Sequence, residues 1–308
     1  MEKYIKETTQ KGSEKMKGKY LNPKADLTFK LVFGEHPDLV MSLLNALLPL
    51  PDDGQITDVE YLTPEMVPEN PFKKDSIVDV RCKDQQGRQF IVEMQMYWNP
   101  FFMQRVILNA SKAVVKQLDK REDYQLIQPV YCLNLVNDIG FKSSPDEFYH
   151  DYAIVNVAHT DRIIEGLRFV FVELPKFKPK TIAEKKMAVL WLRFLTEIDE
   201  DTVEASSELL ENEATRKALS IVEKSAMTEG QLYAYEKFWR AVIDEEVHLR
   251  VHYQDGFDKG MVKGREEGRA EGRAEERIKN ARSLKANGIP LDVIANSLSL
   301  SQDEIEAL

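Results

Sequence analysis

Residues 76–96, SIVDVRCKDQQGRQFIVEMQM, place Asp79 and Glu93 inside two runs of otherwise apolar, alternating residues. Carboxylates in such a setting call for a chemical reason, because like charges facing each other across two strands cost a sheet roughly 0.2–1 kcal/mol when exposed and more when water is scarce. A bound divalent cation removes that cost, and hard oxygen donors at this spacing suit Mg²⁺ or Mn²⁺. Gln95 lies two residues beyond Glu93 on the same side of its strand. Two carboxylates to hold an ion and a third polar group to orient water form the minimal set for metal-assisted phosphodiester hydrolysis. Asp75 and Asp26 are candidates for auxiliary roles at the same cleft.

The elements that must position these groups follow from side-chain alternation. Val78, Val80 and Cys82 read as one face of a strand, with Ile77, Asp79 and Arg81 on the other. In the second run Phe90, Val92, Met94 and Met96 form the apolar set, opposite Ile91, Glu93, Gln95 and Tyr97. Asp84-Gln85-Gln86-Gly87-Arg88 between them supplies glycine where a three-residue hairpin loop needs a left-handed residue. If Asp84 faces Arg88, paired residue numbers sum to 172, and Asp79 falls opposite Glu93. Asn99-Pro100 ends the second strand, and residues 101–122 follow as an amphipathic helix. Arg105, Lys112 and Lys116 on that helix are candidate phosphate contacts, or simply its solvated face.

Around this center, residues 21–50 read as two helices broken at Gly34–Pro37, the second with an apolar face of Leu39, Leu43, Leu44, Leu47 and Leu48. Strands are expected at 56–62, within 127–138, at 150–159 and at 167–174, giving a mixed α/β layer with a helix crossing the sheet. From Lys180 onward the pattern is helical: a stripe of Met187, Leu190, Trp191 and Phe194, then stretches near 203–227 and 229–251. Gly256, Gly260, Gly264, Gly268 and Gly272 recur every four residues among charged side chains, which fits either a self-associating helix or a frayed linker. The last residues read as two short helices, Pro290 opening one and Ser301 with Glu304 capping the other. Their shape is that of half a helix-turn-helix reader or of a small dimerisation or packing cap. The expected organisation is a basic tail over 1–20, a core over 21–179, an acidic helical region over 180–253 and a glycine-repeat helix with a two-helix tail over 254–308.

Composition bounds the function. The 308-residue chain carries a net charge of −10, which by itself disfavours a phosphate-rich ligand. Residues 195–246 hold fourteen Asp and Glu against five Lys and Arg, so that segment accounts for most of the charge, and the first 24 residues are basic. Two cysteines, Cys82 and Cys132, both in expected strands, read as buried hydrophobes in a reducing compartment. The polar start shows no signal-peptide pattern and no apolar run is long enough to span a bilayer, so a cytoplasmic protein with no membrane segment is expected. The scattered histidines offer no ligand spacing, and the glycine repeat lacks the ending of a phosphate-binding loop.

IVDVRC followed by IVEMQ, together with KADLTFKLVFG, the hairpin, the helix after it, PVYCLNLV and the glycine-repeat tail, resembles the PD-(D/E)XK nuclease superfamily. Within it the resemblance is to the Rpn family of recombination-promoting nucleases, whose members are also described as transposases. The likeness covers residues 20–175 best. It implies an αβββαβ restriction-endonuclease-like core with a mixed sheet and a C-terminal helical extension. It further implies that Asp79 and Glu93 bind Mg²⁺ and that Gln95 stands where the superfamily usually has lysine. It implies DNA endonuclease activity tied to recombination or mobile elements, with DNA as partner. A core with one site cutting both strands would favour a homodimer by symmetry. The alternative is a non-catalytic interaction or DNA-binding protein on the same fold.

Overall fold

A computed structural model of the chain describes residues 18–64, 78–118, 123–179 and 186–308. Residues up to Val242 form one compact unit and Ile243–Leu308 a second.

Among the described residues the first helix of this unit is α1 (Asp26–Phe29), which passes without a break into a π-helical turn, Lys30–Gly34. Helix α2 (Pro37–Leu47) follows, with proline in its first turn, where no N–H is needed, and with Leu39, Val40, Leu43, Leu44 and Leu47 buried. Strands β1 (Val59–Tyr61), β2 (Val80–Asp84) and β3 (Gln89–Gln95) lead to helix α3 (Phe102–Val115) and strand β4 (Val130–Val136). Then come β5 (Tyr149–Asn156) and β6 (His159–Glu173), and helices α4 (Lys186–Glu197), α5 (Ser207–Glu211) and α6 (Glu213–Ile221). The six strands among the described residues lie in the order β1-β2-β3-β4-β6-β5. Neighbours β1, β2 and β3 are antiparallel, β4 runs parallel to both β3 and β6, and β5 pairs antiparallel with β6. Helix α3 is the crossover that parallel β3 and β4 require.

The sheet has an apolar layer on each side. Phe90 and Val92, with Val80 and Cys82, join Phe29, Val32 and Phe33, the leucines of α2 and the buried side of α4, including Trp191 and Phe194. Ile91 points the other way, into a second cluster with Phe102, Val106, Ala110 and Ala113 of α3. The face of the hairpin that carries Ile91 and Glu93 is therefore the face covered by α3.

The hairpin keeps the expected register: Val80 pairs with Val92, Arg81 with Ile91 and Cys82 with Phe90, all summing to 172. Gly87 sits at φ +82°, the left-handed position of the three-residue loop. Asp84 fixes that loop, accepting hydrogen bonds from the N–H groups of Gln86 (3.0 Å) and Arg88 (2.9 Å) and pairing with the Arg88 guanidinium at 2.6 Å. One expectation fails. Val78 does not share the layer of Val80 and Cys82 but belongs to the α3 cluster, because the chain bends at Asp79 and strand alternation begins only at Val80. Beyond the sheet, residues 159–166 of β6 pair only with β5, and this ribbon exposes Ile154, Val155, Ile163 and Ile164.

The helical stretch expected near 203–227 consists of two short helices, α5 and α6, joined at Asn212, whose side-chain oxygen caps α6 by accepting from Ala214 and Thr215. A single helix, α7 (Glu229–Ala286), runs through all five repeat glycines. In the second unit α8 (Leu291–Leu298) and α9 (Gln302–Glu306) enclose Ile294 and Ile305 against Ala281 of α7. The Ser301–Glu304 capping box is complete, with both reciprocal hydrogen bonds formed. Among the described residues no helix is long and apolar enough to cross a membrane.

Candidate active site

The hairpin, the crossover helix and α1 bring their polar groups together at one end of the sheet. Glu93, in central strand β3, is only 6% exposed. Its two oxygens are divided between two residues of α3: Oε1 accepts from Asn109 Nδ2 at 2.7 Å, and Oε2 lies 3.3 Å from Arg105 Nη2. Burial raises the Glu93 pKa, against the opposing pull of Arg105 and Asn109. The same Arg105 nitrogen also donates to Gln95 Oε1, while Gln95 Nε2 is spent on the Tyr97 carbonyl at 2.9 Å. The Phe102 ring lies beneath the guanidinium, 5.1 Å from its carbon.

Asp79 stands across the hairpin. It occupies the bend just ahead of β2, one position short of the ladder, and its Oδ2 accepts from the Met94 N–H at 2.7 Å. Burial pushes its pKa up to about 6; the Met94 hydrogen bond opposes this, the charges of Glu93 and Asp26 add to it, and Lys30 offsets part. Asp26 is thus electrostatically coupled to the hairpin acids, while pairing directly with Lys30 at 2.6 Å, one turn on in the helix. The π-helical turn begins at Lys30, between this pair and the core residues Val32 and Phe33. Single π-helical turns inside helices are frequent at functional sites.

Asp79, Glu93, Gln95 and Arg105 are therefore gathered, with Asp26 nearby; Asp75 lies outside the described residues. Lys112 and Lys116 fall seven and eleven residues after Arg105, which puts all three on one stripe of α3 and its C-cap. Lys116 is exposed, and Lys112 is partly buried. Asn109 belongs to the site as well, although the sequence pattern does not single it out. The available signal was a polar residue at a core-facing position of the helix, alongside buried Val106, Ala110 and Ala113. Its other atom, Oδ1, is buried without a partner.

Around this end of the sheet the support is rigid. The Trp98 N–H donates to Asp138 at 2.8 Å, and the indole meets Phe102 and Phe141 edge-on. Gly140 lies so close that a Cβ there would come within 2.2 Å of the indole. Fully buried Glu173 clamps the same loop: Oε1 accepts from the N–H groups of Gly140 (2.7 Å) and Phe141 (3.1 Å), and Oε2 meets His150 (2.8 Å) and Lys176 (2.5 Å). Burial alone would raise the Glu173 pKa, but these partners outweigh it and hold the carboxyl below its usual range.

The donor set fits a hard divalent ion. Asp79 and Glu93 offer carboxylates and Gln95 an amide oxygen, and a guanidinium already spans two of these three groups, marking the place as one that attracts a cation. Among the described residues no three His, Cys, Asp or Glu side chains converge. Two carboxylates suffice for Mg²⁺, which keeps several waters and takes further oxygens from a phosphate substrate.

An antiparallel three-strand run, a crossover helix and a parallel fourth strand, with opposed acids at the hairpin's end, define a PD-(D/E)XK-like nuclease core. A family model described as PD-(D/E)XK nuclease family transposase matches residues 23–252, well over half of the chain, and the protein belongs to that family. No curated protein and no solved structure matches the chain.

Proposed function

We propose that the protein is a DNA endonuclease dependent on Mg²⁺ or Mn²⁺, hydrolysing phosphodiester bonds in the cytoplasm in recombination or the movement of mobile elements, and acting as a homodimer when both strands are cut. The observation that carries this reading is the placement of Asp79 and Glu93 across one hairpin, with Gln95 beside them and a cationic side chain at their oxygens. Asp79 and Glu93 would hold the ion, which when bound supplies an acidified water and charge neutralisation at the phosphate, and Gln95 would orient that water.

The chain's own residues do the rest. Asn109 orients Glu93 through a buried hydrogen bond, so that one carboxylate oxygen is fixed and the other is presented to the cleft. Asp79, with a pKa near 6, is mostly ionised at neutral pH and takes up a proton readily just below it. Gln95 contributes a neutral amide in place of a lysine, so positive charge for the transition state must come from Arg105, Lys112 and Lys116 on α3. Asp26 and Asp75 are auxiliary, through water or a second ion.

The test is plasmid nicking by the purified full chain with Mg²⁺, with Mn²⁺ and with EDTA, beside Asp79→Ala. Metal-dependent cutting that the substitution removes is the expected result. Absence of cutting under every condition would instead favour a non-catalytic interaction protein on this fold.

A further inference from the structure

We infer that Arg105 is a displaceable placeholder for the divalent ion, holding Glu93 and Gln95 until a phosphate draws it away. The inference rests on the reading of Asp79 and Glu93 as ion ligands and adds to it an order of events.

Three observations carry it. A single nitrogen, Arg105 Nη2, contacts Glu93 Oε2 and Gln95 Oε1 together, so the guanidinium occupies the point on which two donors converge. An ion taking those oxygens meets both the steric bulk and the charge of Arg105. Secondly, the two helix residues on Glu93 differ in kind. Asn109 is 2% exposed and fixed, whereas the Arg105 side chain is 43% exposed and reaches in from the rim. Arg88 makes the contrast plain: its side chain is 8% exposed and is tied to both Asp84 and the Gly54 carbonyl, as a structural arginine should be. Thirdly, the Phe102 ring supports the Arg105 guanidinium from the side of α3, a platform on which the head can turn outward without losing its stem packing.

A guanidinium released beside a phosphodiester has its preferred partner at hand, since arginine forms paired hydrogen bonds with phosphate oxygens. Phosphate binding therefore frees the donors for the ion, and by reciprocity ion binding frees Arg105 for phosphate. Without substrate the site holds its ion weakly, which keeps the hydrolytic center incomplete until a strand is present.

The experiment measures Mn²⁺ binding to the full chain by electron paramagnetic resonance, without DNA, for the wild type, Arg105→Met, Arg105→Lys and Glu93→Gln. Arg105→Met keeps the stem packing and removes the competing charge, so it should bind Mn²⁺ about tenfold more tightly. Arg105→Lys keeps a cation and should stay close to wild type. Glu93→Gln should abolish binding, alone and combined with Arg105→Met. Short duplex DNA in Ca²⁺, followed by fluorescence anisotropy, supplies the second readout: Arg105→Met should bind more weakly, with the salt dependence reduced by about one phosphate contact. Opposite movement of the two affinities distinguishes a placeholder from a structural arginine, whose loss would weaken both. Unchanged or weaker Mn²⁺ affinity in Arg105→Met, with binding still lost in Glu93→Gln, would overturn the inference and leave the ion site standing. Duplex affinity unchanged by Arg105→Met would overturn the phosphate half. No Glu93-dependent Mn²⁺ binding in any variant would overturn the ion site and the inference together.

Discussion

Asp79→Asn should make the protein more stable, by an amount that depends on pH. Asp79 carries a pKa of about 6 in the folded chain, against an ordinary value of 3.8. A raised carboxyl pKa means that folding favours the protonated form, so this group's contribution is fully present below pH ~4 and is lost as pH rises through ~6. Two pKa units correspond to about 3 kcal/mol of penalty on the ionised form. Asparagine imitates the protonated carboxyl: its oxygen still accepts from the Met94 N–H, and its amide faces Glu93 and Asp26 without repulsion. Urea unfolding of both proteins in EDTA, followed by tryptophan fluorescence from pH 4 to pH 8, should show a difference near zero at pH 4. It should grow between pH 4 and 6 to a plateau of about 3 kcal/mol. Saturating Mg²⁺ should narrow the gap at pH 8, because an ion that binds only the folded wild type stabilises it. A variant no more stable than wild type at pH 8, or one with the same gain at pH 4 as at pH 8, would refute the reasoning.

Three further outcomes are expected. Asn109→Ala removes the buried donor to Glu93 Oε1 and should cost about 1.5–3 kcal/mol in urea unfolding while weakening Mn²⁺ binding; an effect on stability with ion affinity intact would separate Asn109 from the site. Glu173→Gln strips the charge partner from buried Lys176 and should cost about 3–5 kcal/mol at pH 7. Because the Glu173 pKa is depressed, that contribution exists above its ordinary value of 4.5 and fades as pH falls, so the deficit should shrink in acid, and a deficit constant with pH would count against the assignment. Gly264→Ala and Gly268→Ala meet nothing within 4 Å and should each raise α7 stability by about 1 kcal/mol, read by circular dichroism on heating. A loss of helix stability there, together with a lower mass by light scattering, would instead mean that a second helix lies close against the glycines.

The parts of this structure legible in the sequence are those set by short-range rules. Alternation and a single glycine were enough for the hairpin register, because Gly87 fixes the loop and the loop fixes every pair down to Val80 and Val92. The capping box at Ser301 is likewise complete within four residues. Illegible features depended on tertiary context. Nothing local distinguishes an arginine that reaches the strand, as Arg105 does, from a solvated one, and Asn109 acquires its role only once α3 lies over β3. The bend at Asp79, which sends Val78 to the opposite layer, reflects a side chain satisfying the Met94 N–H, a bond across the hairpin that alternation cannot anticipate. For the glycine repeat, propensity alone leaves a self-associating helix and a frayed linker both open, and α7 is continuous through Gly272.

The π-helical turn at Lys30–Gly34 has an evolutionary corollary. Such a turn amounts to one residue more than an α-helix needs, and each residue rotates a helix by about 100°. Deleting a single residue there would let the helix become regular with Asp26 kept in register, and would change only which side chains the turn itself presents, Lys30 first among them. A length polymorphism of one codon, with every hairpin acid intact, is thus a route by which members of this family could change the electrostatics of their cleft without touching a ligand.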